Sequence, residues 1–397
     1  MRNVVFVDGV RTGFGRMGGG IRQFQLSDLL GFTVKALVER TGIAEKGKVD
    51  SVFLGSALHD ARCNNVARYA SLLAGLPYET SATYMEMQCG SGINCINHAA
   101  YQIAMGDADV IIAGGGESYS QRFAKFSMCV EPYKMIPPTA IPNRIAPVDA
   151  DCITMLEIAD NMAKKWEISR EACDEFAYNS HIRAMKAFEN GILGDEVIPV
   201  TIPATRKTPE VVCTKDEQLR PDISMEALAK LRTVNMGGVC TAGNSSGRND
   251  GASCVLMMSE EKAKELGYTP IARWVAGADV GVDPKWMGIG PAYSNMKLLE
   301  KAGLKLSDID VFECNEAFAA QNLAVKKEME RIGGQSIDME KWNPLGGAIA
   351  FGHPNGASGG RIAIFAMKQL QHTGGRYGLF SSCCGGGLGV STLIERI

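Results

Sequence analysis

Four short segments, far apart in the chain, carry the side chains best suited to chemistry: Gln88-Cys89-Gly90-Ser91-Gly92, Asn315-Glu316-Ala317-Phe318-Ala319, Gly352-His353-Pro354 and Cys383-Cys384-Gly385-Gly386-Gly387. Cys89 precedes a Gly-Ser-Gly helix start, where unsatisfied N–H groups and the positive end of the helix would favour a thiolate. The flanking glycines let a substrate approach the backbone closely, so Cys89 is the candidate nucleophile. His353 lies between Gly and Pro just ahead of a helical pattern. Its ring is expected to be presented rather than packed, which makes it the candidate general base. Cys383 ends the strand-like run Leu379-Phe380-Ser381-Ser382 and leads into a glycine triplet. The triplet either turns N–H groups toward developing negative charge or is simply a close-packed turn. Adjacent strand residues face opposite ways, so only one of Cys383 and Cys384 can point into a site. Asn315 follows the strand-like Asp310 to Cys314 and either caps a helix beginning at Ala317 or holds a water against a substrate carbonyl. A nucleophilic sulfur, a base and a second sulfur for acid/base work point to acyl transfer. Most of the other ten cysteines read as small buried hydrophobes, and His98 as a core or interface residue.

The elements that must position these groups alternate between apolar runs and helical patterns. The amphipathic stretch Ile93 to Met105, closed by Gly106, leads to the buried-strand run Val110-Ile111-Ile112-Ala113, and Asn3 to Asp8 reads as a first strand. Such alternation predicts a layered α/β architecture. An internal echo sharpens it. Gly90-Ser91-Gly92 leads through a helix and a strand to Gly114-Gly115-Gly116; Ala357-Ser358-Gly359 leads through Arg361 to Leu370 and Gly378-Leu379-Phe380 to Gly385-Gly386-Gly387. This predicts two duplicated α/β halves. Residues 1–120 and 248–270 form the first, 271–397 the second, and 121–247 an inserted loop domain. The insertion carries a proline-rich start, a helix expected from Leu156 to Asn190, and a charged stretch from Ile202 to Pro221. It is either a lid or binding wall, or a structural or dimer-contact excursion.

Composition narrows the partners. With 397 residues, 46% hydrophobic and 21% charged, the chain can bury a large core and has no stretch of disordered character. A net charge of −3 without a basic stripe argues against nucleic acid as partner. No run approaches the roughly 18 apolar residues of a membrane span. Twelve cysteines spread through a long chain with no signal peptide or Ser-Lys-Leu ending read as thiols of a reducing, cytoplasmic protein.

The four segments, in this order, resemble those of the thiolases, the acetyl-CoA acetyltransferase and 3-ketoacyl-CoA thiolase family. The resemblance runs through Val10-Arg11-Thr12 with Phe14-Gly15, Gly114 to Ser118, Ser169-Arg170-Glu171, Thr241 to Asn244 with Ser246-Gly247, Asn249 to Ala252, Met287-Gly288 with Gly290-Pro291, and Gly346 to Ala350. It implies the thiolase-like layered fold and a ping-pong Claisen condensation in which Cys89 is acylated, His353 accepts its proton, and Cys383 moves a proton at the methyl carbon of a second acetyl-CoA. Asn315, through a water, and His353 would face the enolate oxygen; the N–H groups of Cys89 and Gly385 would face the tetrahedral oxyanion. Ser246 would lie near the pantetheine, Arg220 near the phosphates, and Met155 and Met287 along the acyl pocket. CoA and acyl-CoA would be substrates, with no resident cofactor or metal. A role in fatty acid metabolism and a homodimer or homotetramer are also implied.

The chain departs from the family at Thr154-Met155-Leu156, where short-chain members carry His-Met-Gly, at Leu231 to Asn235, and at Asn343-Pro344, where Pro344 is expected to stiffen the loop presenting His353. A decarboxylating β-ketoacyl synthase also uses a nucleophilic Cys, but has no need of a second sulfur such as Cys383. A non-catalytic CoA- or lipid-binding protein would leave all four groups idle.

Overall fold

A computed structural model describes residues 1–397 except 129, 132, 143 and 207. Among the described residues the strands assemble into one eleven-stranded mixed sheet and three two-stranded ribbons. The main strands are β1 (Val4–Thr12), β2 (Ser51–Gly55), β3 (Ser81–Met85), β4 (Val110–Ser118), β5 (Asn249–Ser259), β6 (Ala272–Gly281), β7 (Val311–Cys314), β8 (Tyr377–Cys384) and β9 (Leu388–Arg396). They lie in the order β7-β8-β9-β6-β1-β5-β4-β2-β3. The principal helices are α1 (Leu26–Thr41), α2 (Ser91–Met105), α3 (Met155–Lys165), α4 (Arg170–Glu189), α5 (Gly290–Ala302), α6 (Ala319–Gly333) and α7 (Asn355–Thr373). No described helix is long and apolar enough to cross a membrane.

The duplication is visible strand for strand. In the first half β2 runs parallel to β4, β4 antiparallel to β5, and β5 antiparallel to β1. In the second half β7 runs parallel to β8, β8 antiparallel to β9, and β9 antiparallel to β6. The two halves of the sheet join where Val4–Phe6 of β1 pair with Ala272–Trp274 of β6. Strand β4 is buried along its whole length, as its β-branched run requires.

Helices α2 and α7 hold corresponding places ahead of β4 and β8, and they pack against one another in the interior. Their N-terminal turns cross at Gly92 and Gly359. A Cβ on Gly359 would lie within 2.9 Å of the Gly92 Cα and closer still to Ile93 N, so two backbones touch where any side chain would hold them apart. The second part of the sequence echo is different. Gly385–Gly387 is the turn between β8 and β9, with Gly386 and Gly387 at φ of 87° and 89°, whereas Gly114–Gly116 lies inside β4. There a Cβ would strike the carbonyl oxygens of Ser253, Gly55 and Gly356. The two triplets serve separate purposes.

The expected helix from Leu156 to Asn190 is two helices. Helix α3 ends at Lys165, Glu167 takes a left-handed φ of 51°, and the Ser169 side chain accepts the Ala172 N–H at 3.1 Å to start α4. At its other end α3 begins with a capping box. Thr154 Oγ1 accepts the Glu157 N–H, and the Glu157 carboxylate accepts from the Thr154 N–H at 2.7 Å.

Arg11 ties the chain between β4 and β5 to the core. Wholly buried, its guanidinium meets Glu196 at 3.0 Å and Asp216 at 2.6 Å and lies over the rings of Phe14, Phe351 and Phe365. Removing one member of a buried ion cluster strands the others without compensation, at about 3–5 kcal/mol. Arg11→Met should therefore lower the thermal midpoint far more than the exposed-pair variant Lys35→Met, by differential scanning calorimetry on the full chain; equal midpoints would refute the anchoring role.

Candidate active site

Cys89 lies in the short 3-10 turn Gln88–Gly90 that leads into α2, and is partly accessible. The Gly385 N–H in the β8–β9 turn is near enough to favour its thiolate, and Cys383 and Glu117 are near enough for their charge to raise its pKa. Burial is the largest influence and pushes the thiol up, outweighing the N–H groups of Cys89 and Gly385. The expectation of a resting thiolate at the helix start is thus corrected: desolvation wins over the helix end, and the resting sulfur carries its proton. Cys383 is fully buried, and burial, followed by Cys314, pushes it up to about 12.

Cys383 and Cys384 face opposite cores, as alternation requires. Cys383 belongs to the core cluster that holds Met287, Phe312 and Leu379, and Cys384 to the one that holds Ile93, Phe380 and Val390. A Cβ on Gly90 would collide with Cys384 Sγ, so Cys384 lies against the floor of the Cys89 turn.

His353 precedes α7 and is only 6% exposed. The ring is packed, contrary to the expectation that it would be presented. Gly352 before it has φ of 98°, and a Cβ there would strike the Asn249 side chain, which itself accepts the His353 N–H at 3.0 Å. His353 Nδ1 meets Ser358 Oγ at 2.6 Å, and that hydroxyl also reaches the Pro354 carbonyl at 3.3 Å. With the hydroxyl proton given to the carbonyl, Ser358 accepts from Nδ1–H and leaves Nε2 with a free lone pair. Nε2 lies 3.4 Å from Asn315 Nδ2. Burial, and then the Arg361 charge, hold the His353 pKa down at about 3, so the ring is a neutral acceptor.

Asn315 does not cap a helix. Helix α6 starts at Ala319 behind Phe318, and Asn315 is fixed instead by its N–H to the Ser381 carbonyl at 2.9 Å and its carbonyl to Asn322 Nδ2 at 3.0 Å. Its side-chain Oδ1 is buried with no protein partner, leaving it to a water or a ligand. The adjoining Asn343, at φ 45° ahead of Pro344, bonds both N–H and carbonyl of Cys314 at 2.7 and 2.9 Å and Glu316 at 2.9 Å. Asn343, rather than Pro344, is what clips this loop to the end of β7.

Glu117 was legible only as part of a motif, without a role. It is fully buried, accepts the N–H groups of Ala57 and Leu58 at 2.9 Å and of Gly356 at 3.2 Å, and so ties β4 to the start of α7. Burial raises its pKa to about 8 against the pull of those three donors. Ser91 and Ser358, one in each half, also went unassigned. Ser91 Oγ accepts the Met87 N–H at 2.9 Å and donates to the Gln88 carbonyl at 2.7 Å, holding the turn ahead of α2 much as Ser358 holds His353.

The remaining candidates are spread more widely. Met287 is buried, and Met155 partly so, against the core cluster that contains Cys383. Ser246 is half-buried and bonded to the Ala317 carbonyl at 3.0 Å, two residues from Asn315. Arg220 is exposed, its backbone N–H donating to His181 Nδ1 at 3.2 Å, and no described contact of its side chain links it to Cys89, His353 or Cys383.

Family models for the thiolase N-terminal domain and the thiolase C-terminal domain match residues 4–261 and 268–396. This chain belongs to the thiolase family. The thiolase is 42% identical to an acetyl-CoA acetyltransferase of Thiocystis violacea over 99% of both chains. It is 40% identical to the 3-oxoadipyl-CoA/3-oxo-5,6-dehydrosuberyl-CoA thiolase of Escherichia coli strain K12 over the whole of both. The crystal structure of the Bacillus anthracis acetyl-CoA acetyltransferase superposes with a TM-score of 0.92 at 39% identity, covering 100% of this chain and 99% of that one. The thiolase is accordingly an acyltransferase that catalyses reversible Claisen condensation and thiolysis, with acyl-CoA thioesters as substrates.

Two measurements check this site. Ser358→Ala should free the imidazole to hold its proton on either nitrogen and lower kcat about tenfold or more, with KM for CoA little changed; a kcat within twofold of the parent would remove Ser358 from the account. The depressed His353 pKa has a stability sign. Above the usual 6.5 the ring is neutral folded and unfolded; as pH falls from 6.5 toward 3 only the unfolded chain takes the proton, so stability is lost. The thermal midpoint of the parent should fall more steeply across that window than that of His353→Asn, and parallel curves would contradict the buried neutral ring.

Proposed function

We propose that this thiolase is an acetyl-CoA C-acetyltransferase working through an acyl-Cys89 intermediate. The observation that carries the reading is a convergence on one turn: the Gln88–Gly90 turn that holds Cys89 packs against both β8, which carries Cys383, and α7, which His353 precedes. Both sulfurs rest protonated and His353 rests neutral, which suits a mechanism where protons move only as bonds change. His353 Nε2 takes the Cys89 proton as the sulfur attacks the thioester carbonyl. The oxyanion is met by the N–H groups of Cys89 and Gly385, and the CoA thiolate leaves with the proton of Cys383, which is left as a thiolate while His353 keeps the proton taken from Cys89. Cys383, as thiolate, then removes a proton from the methyl carbon of acetyl-CoA. The enolate oxygen is met by the proton that His353 still holds on Nε2 and by a water held on Asn315, whose Oδ1 is otherwise unpartnered. The carbanion attacks the acyl carbon, and the Cys89 sulfur leaves and recovers its proton. Thiolysis is the same sequence reversed.

Apolar residues around Cys383 support the acetyl assignment. Met287 is buried and Ile145, Ile153 and Met155 partly buried against the cluster holding Cys383, an apolar lining that suits a short unsubstituted acyl group over one ending in a carboxylate. Thr154, spent on capping α3, offers that wall no ring. Ser246 near the pantetheine, Arg220 near the phosphates, a dimer or tetramer and a cytoplasmic setting complete the proposal.

The test is CoA-dependent cleavage of a ladder of 3-ketoacyl-CoA thioesters from acetoacetyl upward, with 3-oxoadipyl-CoA alongside. Acetoacetyl-CoA should be the best substrate. Cys89→Ala and Cys383→Ala should each lose at least about a thousandfold in kcat, and only the former should abolish labelling by radioactive acetyl-CoA. A preference for 3-oxoadipyl-CoA would overturn the substrate assignment, and label retained in Cys89→Ala would overturn the nucleophile.

A further inference from the structure

The turn that presents Cys89 contains a residue in a conformation that its type disfavours. Gln88 has φ of 50°, in the left-handed region that glycine occupies freely and a long side chain does not. Such a conformation persists only where neighbours over-determine it. Two do so here, one at each end of the peptide. Ser91 Oγ donates to the Gln88 carbonyl at 2.7 Å. At the other end one carboxylate oxygen of Glu86 accepts both the Gln88 backbone N–H and the Gln88 side-chain Nε2, each at 2.7 Å. These are short bonds to an ionised acceptor, the stronger kind. Glu86 makes no ion pair among the described residues and is exposed, so these are its only described side-chain bonds.

The clasp also sets where the Gln88 side chain lies. A Cβ built on Gly385 would stand 3.3 Å from Gln88 Cγ and 3.4 Å from its Oε1, so this side chain lies against the Gly385 backbone. Gly385 opens the β8–β9 turn directly after Cys383 and Cys384, and its N–H is near enough to the Cys89 sulfur to favour the thiolate. Glu86 thus holds both the strained peptide before the nucleophile and the side chain that backs the second N–H donor. We infer that Glu86 is a positioning residue for acyl transfer, fixing the Gln88 turn so that the N–H groups of Cys89 and Gly385 face one point. The inference rests on the reading of Cys89 as the acylated nucleophile.

Without the clasp, Gln88 relaxes toward negative φ and the Cys89 N–H swings away from its partner. Because Glu86 is exposed, replacing it opens no hole in the core. Glu86→Ala, Glu86→Gln, Gln88→Gly and the Glu86→Ala/Gln88→Gly double variant, all in the full chain, separate this role from its rivals. Two quantities are read: steady-state thiolysis of acetoacetyl-CoA, and hydrogen exchange of the backbone amides across 86–92. Glu86→Ala should lower kcat about tenfold with KM for CoA unchanged, and speed exchange in that segment. Glu86→Gln keeps an oxygen that accepts both bonds and should recover to within about threefold of the parent. Glycine adopts the left-handed turn without strain, so in the Gln88→Gly background Glu86→Ala should change kcat by less than about twofold. Three results would overturn the inference: Glu86→Ala within twofold of the parent with unaltered exchange, Glu86→Gln as slow as Glu86→Ala, or the full penalty persisting in the Gln88→Gly background. An inactive parent would refute the functional reading instead, and the exchange data would still decide whether the clasp exists.

Discussion

The crossing of two helix backbones at Gly92 and Gly359 is the contact on which the site depends. Cys89 stands two residues ahead of α2, and His353 two residues ahead of α7. The groups come from different halves, and nothing in either half alone would bring them together. What does so is the absence of two side chains, which lets the first turns of α2 and α7 touch. The surroundings reinforce that alignment. Glu117 reaches from β4 to the N–H of Gly356 in the first turn of α7, Ser253 Oγ bonds the Ala357 carbonyl at 2.5 Å, and Gly356 itself fits between carbonyls of Gly55 and Gly116. The glycine content around these helices is the geometry of the site, and substitution there would separate base from nucleophile before it disturbed either residue.

Burial sets the resting charge state. It raises the pKa of both thiols, lowers that of His353, and raises those of Glu117 and Glu313, so the interior behind the site favours uncharged forms. Arg361, stacked 4.9 Å above the Phe365 ring, adds a positive charge that disfavours a second one on His353. A thiol that ionises only in the presence of an electrophile and a base has little exposure to oxidants or alkylating agents between turnovers. The enzyme gives up a ready nucleophile and gains a protected one.

Much of this was legible in the residues. Periodicity located α2 and β4, the Gly-Ser-Gly and Ala-Ser-Gly echo located the two halves, and the order of Cys89, Asn315, His353 and Cys383 gave the family. What stayed hidden did so for physical reasons. One helix was expected across 156–190 because both pieces share an amphipathic texture; the break turns on a left-handed Glu167, a type that gives no warning. Asn315 looked like a cap because it precedes a helix, but caps are defined by backbone angles three residues further on. The thiolate expectation for Cys89 weighed the helix end, which sequence shows, and not desolvation, which depends on every neighbour. Ser358 and Glu117 act through contacts five and some sixty to two hundred and forty residues away, and only the folded chain brings those partners together.

The two halves differ most in one connection. Strand β8 returns to β9 through three glycines, whereas β4 reaches its equivalent partner β5 only after residues 119–248. In a chain emerging from its N-terminus, β4 must therefore stand with one hydrogen-bonding edge open until the whole insertion has been made, while β8 finds β9 at once. Closing so long a loop adds only modest entropy, since that term grows with the logarithm of length, but it separates the two events in time. The second half can zip locally, and the first must wait with an apolar, glycine-rich strand exposed. The same asymmetry that gives the enzyme its long inserted segment makes the first half the slower, more aggregation-prone part of its folding.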